Sequence, residues 1–163
     1  GPVLKEDKFY DKICFGYDKD NLYLRFYINE FLKDKISRQV NQMYVYMRNM
    51  NRRQSLSPIR IIQKTDSILP ICKEKFHNEL QISIFEGEIN LVRLVKALPN
   101  NLWAITSAKN IKTVYDKFVD ISIPFDDIDV AKDDTLEFLF VNANYGVKDF
   151  FVPNDMLLTI KRL

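Results

Sequence analysis

Phe118-Val119-Asp120-Ile121-Ser122-Ile123-Pro124 is the stretch that decides the fold. From Val119 on, apolar and polar residues alternate until a proline ends the run, which is the pattern of a half-buried strand and not of a helix. Phe125-Asp126-Asp127-Ile128 then reads as a short turn, Asp133-Asp134 as an acidic corner and Thr135 to Val141 as a second strand. Lys148 to Val152, met by Pro153, and Met156 to Lys161 supply two more. Strands separated by corners are the pattern of an antiparallel sheet.

The same pattern runs back through the chain. Lys12 to Tyr17 and Asn21 to Ile28 form a hairpin joined by Asp18-Lys19-Asp20. In its second strand Leu22, Leu24, Phe26 and Ile28 share one face while Tyr23, Arg25 and Tyr27 share the other. Gln42 to Arg48 repeats this, with Met43, Val45 and Met47 against Tyr44, Tyr46 and Arg48. From His77 the alternation returns in Leu80, Ile82 and Ile84. Phe85-Glu86-Gly87-Glu88 turns the chain into a strand from Ile89 to Lys96, and Pro99-Asn100-Asn101 turns it again. Shorter strands are expected at Ile59 to Gln63, Leu102 to Thr106 and Ile111 to Tyr115. Glu30 to Val40 is polar with room for a turn of helix; Asn49 to Ser57 is a loop, and Thr65 to Lys75 has no clear period. Strands recurring about every 10–14 residues predict an all-β fold, two antiparallel sheets layered as a sandwich of jelly-roll or immunoglobulin type.

A chain of 163 residues fits one such domain, here residues 3–163. Gly1-Pro2 reads as the scar of a cleaved affinity tag, so the domain is expected to come from a larger protein. The 24 basic and 22 acidic residues leave a net charge of +2, which argues against nucleic acid as a partner. No apolar run reaches the roughly 18 residues a spanning helix needs, so no membrane partner is expected. The compartment stays open, leaning to the cytoplasm. Cys14 and Cys72 leave either one bridge or two free thiols, and free thiols are favoured.

Catalytic chemistry finds little material. His77 is the only histidine, the chain has four glycines and hence no phosphate-cradling loop, and one histidine with two remote cysteines cannot build the usual zinc site. Asp126-Asp127 and Asp133-Asp134 fall where corners are expected, and corners favour aspartate for its local hydrogen bonds. Asp18, Asp20 and Asn21 offer hard oxygen ligands in a turn and are a weak calcium candidate, lacking the glycine and distal glutamate of a helix-loop-helix site. Otherwise no cofactor is expected.

The aromatic residues offer more. If the aliphatic faces make the core, Tyr23, Tyr27, Tyr44 and Tyr46 project outward, interleaved with Arg25 and Arg48, and Trp103 near a turn is either a ligand platform or a core anchor. Such a surface suits sugar rings, which stack their C–H faces on aromatics while polar neighbours bond the hydroxyls. The plain alternative is that both faces are buried, the second against another domain.

Two segments carry a resemblance. Ile13-Cys14-Phe15-Gly16-Tyr17-Asp18 leading to Asn21-Leu22-Tyr23-Leu24-Arg25 is similar to the opening of the accessory β-sandwich on the C-terminal side of family-57 glycoside hydrolases. Val119-Asp120-Ile121-Ser122-Ile123-Pro124-Phe125-Asp126-Asp127-Ile128 resembles that domain's acidic-x-x-Ile-Pro-Phe-x-x-Leu element, with Asp120 where glutamate is commoner. The group includes glucodextranase C-terminal domains and sits with DOMON-like and family-9 carbohydrate-binding sandwiches. The resemblance implies a non-catalytic module of an α-glucan-active enzyme. Its partners would be starch-like or other oligosaccharide chains and the parent's catalytic domain. A structural domain without sugar affinity is the alternative. A haem-carrying DOMON reading would need Met or His ligands, for which Met43, Met47 and His77 are available, although strand parity points the methionines inward.

Overall fold

A computed structural model describes residues 3–4, 9–60, 73–144, 147–153 and 156–163. Its chain order is β1 (Val3–Leu4), β2 (Tyr10–Tyr17), β3 (Asn21–Ile28), α1 (Glu30–Ile36), β4 (Asn41–Asn49), β5 (Ser57–Pro58) and β6 (Lys75–Phe76). There follow β7 (Asn78–Phe85), β8 (Glu88–Leu98), β9 (Leu102–Thr106), β10 (Lys112–Tyr115), β11 (Val119–Pro124), β12 (Thr135–Asn144), β13 (Val147–Val152) and β14 (Leu158–Lys161). Two large sheets result. One runs β1-β2-β3-β11-β10; the other runs β13-β12-β4-β7-β8-β9, with β14 also on β12. Every pairing is antiparallel, and the all-β sandwich expected from the sequence is the fold.

Local chemistry sets the turns. Asp18 accepts hydrogen bonds from the amides of Asp20 (2.9 Å) and Asn21 (2.8 Å), closing the β2–β3 hairpin as an aspartate turn. Glu86 and Gly87 both have positive φ, 52° and 75°, so β7 and β8 are joined by the two-residue turn whose twist matches that of the strands. Asn29 caps α1 by accepting from the Leu32 amide at 2.9 Å, and the helix buries Leu32 and Ile36 against the core. The run Thr135 to Val141 extends to Asn144; of the strand expected at Ile59 to Gln63 only residues 59 and 60 are described, outside any strand and just after β5. Residues 61–63 and most of Thr65 to Lys75 lie outside the described residues.

The sandwich core is where the alternation said it would be. Leu22, Leu24, Phe26 and Ile28 of β3 and Val119, Ile121 and Ile123 of β11 meet Met43, Val45 and Met47 of β4 and Leu80, Ile82 and Ile84 of β7. Aromatic edges tie the layers: Phe15 meets Phe138 at 5.2 Å between ring centres and Phe26 meets Phe140 at 5.1 Å, both nearly perpendicular. One polar network within this core is paired, whereas Asn78 Oδ1 is buried with no partner among the described residues. Tyr10 donates across the sandwich to Asn142 (2.9 Å), which also exchanges two 3.0 Å bonds with Asn41.

Both acidic corners are structural. Phe125–Ile128 is a 3-10 turn that plugs one end with Phe125 and Ile128. Asp134 accepts from Asn49 (2.8 Å) and from the Ala131 amide (2.9 Å). Asp126 pairs with Arg162 at 2.9 Å, and Arg162 also donates to the carbonyls of Lys19 and Val130, which ties the last strand to this corner.

Candidate functional site

The outer face of the five-stranded sheet is open. Strand register lays its side chains in transverse rows. Gly16, Tyr23, Ser122 and Lys112 stand abreast on β2, β3, β11 and β10; Cys14, Arg25, Asp120 and Val114 form the next row. Lys12 and Tyr27 begin a third. The first two rows and Tyr27 line a shallow groove of about 510 Å³. That size is within the range of ordinary ligand sites. The segments 13–25 and 119–128 are therefore neighbours in space, since β3 pairs with β11 along the groove floor.

Arg25 is the post at the centre. Its Nε donates to Asp120 Oδ1 at 2.7 Å and a second nitrogen donates to Oδ2 at 2.9 Å, a bidentate fork. Its guanidinium also lies 3.7 Å from the ring centre of Phe118. Asp120 raises the affinity of Arg25 for its proton still further, with help from the Tyr27 hydroxyl. Because both partners are more than a third exposed, the pair adds only about 0.5 kcal/mol to stability, and its main effect is to hold the side chains in place. Tyr23 donates to Asp18 Oδ2 at 2.8 Å, so its ring is held by its hydroxyl with 41% of the residue exposed. That bond raises the Tyr23 pKa, and the turn amides together with Tyr23 lower that of Asp18. Tyr27 packs on Phe118 at 5.2 Å between centroids and carries the Lys12 ammonium over its ring at 4.4 Å. At Gly16 an added Cβ would meet nothing within 4 Å, so the absent side chain leaves the groove floor clear beside Tyr23.

Comparisons with family models, curated proteins and solved structures return no match.

The other expected contacts lie elsewhere. Tyr44 and Tyr46 do not share a surface with Tyr23 and Tyr27; they are on the outer face of the opposite sheet and are buried, at 7% and 0% exposure. There they stack 6.1 Å apart and form a second apolar cluster with Ile59, Phe76, Leu139, Val141 and Ala143. Phe76 of β6 and Ile59, the residue after β5, belong to this cluster. Alternation made this face look solvent-directed because tyrosine tolerates either side: it buries its ring if its hydroxyl finds an acceptor. Tyr46 finds Glu79 at 2.6 Å and Tyr44 finds Gln42 at 3.0 Å. Burial pushes the Tyr44 pKa up to about 12 and Tyr46 well above the usual value.

Trp103 is an anchor of this second cluster, edge-on to Tyr46 at 6.3 Å, with its indole N–H directed at the Pro58 carbonyl (3.3 Å). Arg48 is held between Glu137 (2.7 Å) and Glu74 (2.6 Å). Burial alone would lower its pKa, but the two carboxylates outweigh burial and raise it. Tyr44, Tyr46, Arg48 and Trp103 are thus removed from the candidate surface.

Asp18 is engaged as a turn acceptor, beside Asp20 and Asn21 at the exposed hairpin tip. Among the described residues no three His, Cys, Asp or Glu side chains converge as metal ligands. Met43 and Met47 sit in the inner core, whereas His77 lies on the opposite parity with Nδ1 accepting from the Asn49 amide at 3.0 Å. Cys14 is free and half-buried in the groove wall; Cys72 is outside the described residues. Among the described residues no helix is long and apolar enough to cross a membrane. The groove residues that sequence reading passed over are Gly16, Lys112, Asp120 and Ser122. Their signal was present in the period-2 patterns of β2, β10 and β11, but only the sheet order brings them beside Tyr23.

Proposed function

We propose that this domain is a non-catalytic carbohydrate-binding module, with an oligosaccharide lying across the Tyr23–Arg25–Tyr27 face. The observation that carries the reading is one groove in which an exposed, hydroxyl-anchored tyrosine ring adjoins a bare glycine floor and a fixed set of polar groups. Tyr23 supplies the stacking surface over Gly16, Ser122 and Asp120 supply hydrogen-bonding partners, and Arg25 holds the array open. Rings held before binding lose little conformational freedom when a ligand arrives, which favours modest affinity from a shallow site. Resemblance to accessory sandwiches of α-glucan-active enzymes makes a starch-like chain the first neutral ligand to test.

Isothermal titration of the whole chain with maltoheptaose and with oligogalacturonate tests the reading. Trp103 is on the other sheet, so its fluorescence is a poor reporter. Tyr23→Ala is expected to weaken the bound sugar at least tenfold, on the order of the 1–3 kcal/mol that a stacked ring contributes. Gly16→Val should keep the fold, because its Cβ enters open space, yet lose binding because its methyls occupy the floor. Absence of heat with both sugars at millimolar concentration would overturn the proposal.

A further inference from the structure

The geometry points to an acidic oligosaccharide, a chain whose sugar rings carry carboxylate or sulfate groups, as the preferred occupant of the groove over a neutral glucan. This inference rests on the oligosaccharide reading above and adds to it the charge of the ligand. Among the described residues the groove face carries Lys12, Arg25 and Lys112 against Asp120, with Asp18 at its hairpin end.

The three cations are not equivalent. Arg25 is neutralised by Asp120 through two hydrogen bonds. Asp18, the other nearby carboxylate, is turned into its own hairpin and onto the Tyr23 hydroxyl. Lys12 and Lys112 form no ion pair among the described residues, and they flank the tyrosines on opposite sides. Lys112 is exposed, lines the groove, and stands in the same transverse row as Tyr23, two strands away with Ser122 between them. At the usual strand spacing that places its Cα about 10 Å from that of Tyr23, within reach of a long lysine side chain turned inward. A pyranose stacked on Tyr23 would then direct an exocyclic anion over Ser122 toward Lys112, and the next residue along the other flank would meet Lys12. A lysine on an edge strand also discourages strand addition. That role needs no partner in the groove, and the two roles give different results below.

The test compares oligogalacturonate, sulfated maltooligosaccharide and maltoheptaose by titration calorimetry at low and at physiological ionic strength, using the whole chain. The expected result is affinity for an anionic sugar about tenfold or more above that for maltoheptaose, falling as salt is raised. Lys112→Gln should reduce that preference several-fold and Lys112→Glu should abolish it. Both changes leave thermal stability near wild type, because Lys112 is exposed. Carboxylate against sulfate is decided by which of the two anionic sugars binds more tightly. Equal affinity for neutral and anionic sugars, or an unchanged preference in Lys112→Glu, overturns the inference while leaving the oligosaccharide reading intact. If no sugar binds, both fall together.

Discussion

Phe138→Ala is expected to lower unfolding free energy by about 3–5 kcal/mol. The ring is fully buried, lies edge-on to Phe15 of the opposite sheet at 5.2 Å and to Phe140 at 5.7 Å, and its strand β12 pairs with β4, β13 and β14. Truncation removes the transfer free energy of the ring, the edge-to-face contacts and the packing around a void that stiff neighbouring strands cannot collapse to fill. Small domains have a net stability of about 5–15 kcal/mol, so a loss of this size is a large share of the whole. Urea unfolding followed by far-ultraviolet circular dichroism measures it. Phe138→Leu, which keeps most of the volume, should cost less than half as much. A loss below about 1 kcal/mol in Phe138→Ala would show that the two sheets do not meet through this ring.

Acidification should weaken the fold in a window set by His77. Burial lowers its pKa from 6.5 to about 4, and the positive charge of Arg52 acts in the same direction. Its Nδ1 accepts from the Asn49 amide and Nε2 has no hydrogen-bond partner of good geometry among the described residues, although the Gln54 carbonyl favours the charged form somewhat. A depressed histidine pKa means that the unfolded chain binds the proton more readily than the folded one. Stability is therefore fully present above pH 6.5, falls as pH drops from 6.5 toward 4, and stops falling from this source below 4. The full loss is on the order of 3 kcal/mol. Asp129 acts lower on the scale. Burial opposes its charge, but Lys96 and Arg52 outweigh burial and hold its pKa below the ordinary 3.8, so its contribution is lost only in stronger acid. Urea midpoints taken between pH 7 and pH 4 check the slope. His77→Asn, which keeps an acceptor for the Asn49 amide and cannot titrate, should flatten it; an equally steep slope in the variant would assign the titration elsewhere.

The elements were largely legible because a strand half-buried in a sandwich repeats every two residues, and β3, β4, β7 and β11 all keep that period. The hairpin at Asp18 to Asp20 and the turn at Glu86-Gly87 were legible for a different reason. Their residues carry the local chemistry of the turn, a carboxylate that caps its own amides and a pair that accepts positive φ. Strand ends were less sharp: β2 starts at Tyr10, before Lys12, since hydrogen bonding to β3 continues there past a bulge. The candidate site was only half legible. Tyr23, Arg25 and Tyr27 lie on one strand, so alternation alone places them together. Asp120 is Arg25's partner from 95 positions away, and that separation leaves no local trace.

Sequence by itself therefore determined the strand faces: which residues of each strand point to the sandwich core, and that tyrosines alternate with arginines on the reverse. Period 2 is a property of the backbone and survives any arrangement of strands. What lies against the reverse face depends on sheet order and on the course of remote segments, and only the tertiary structure decided it. On β3 the reverse face is left open beside β11, so Tyr23 and Tyr27 border a groove. On β4 it is met by Ile59, Phe76 and Trp103, so the same alternating pattern with Tyr44 and Tyr46 becomes a second core.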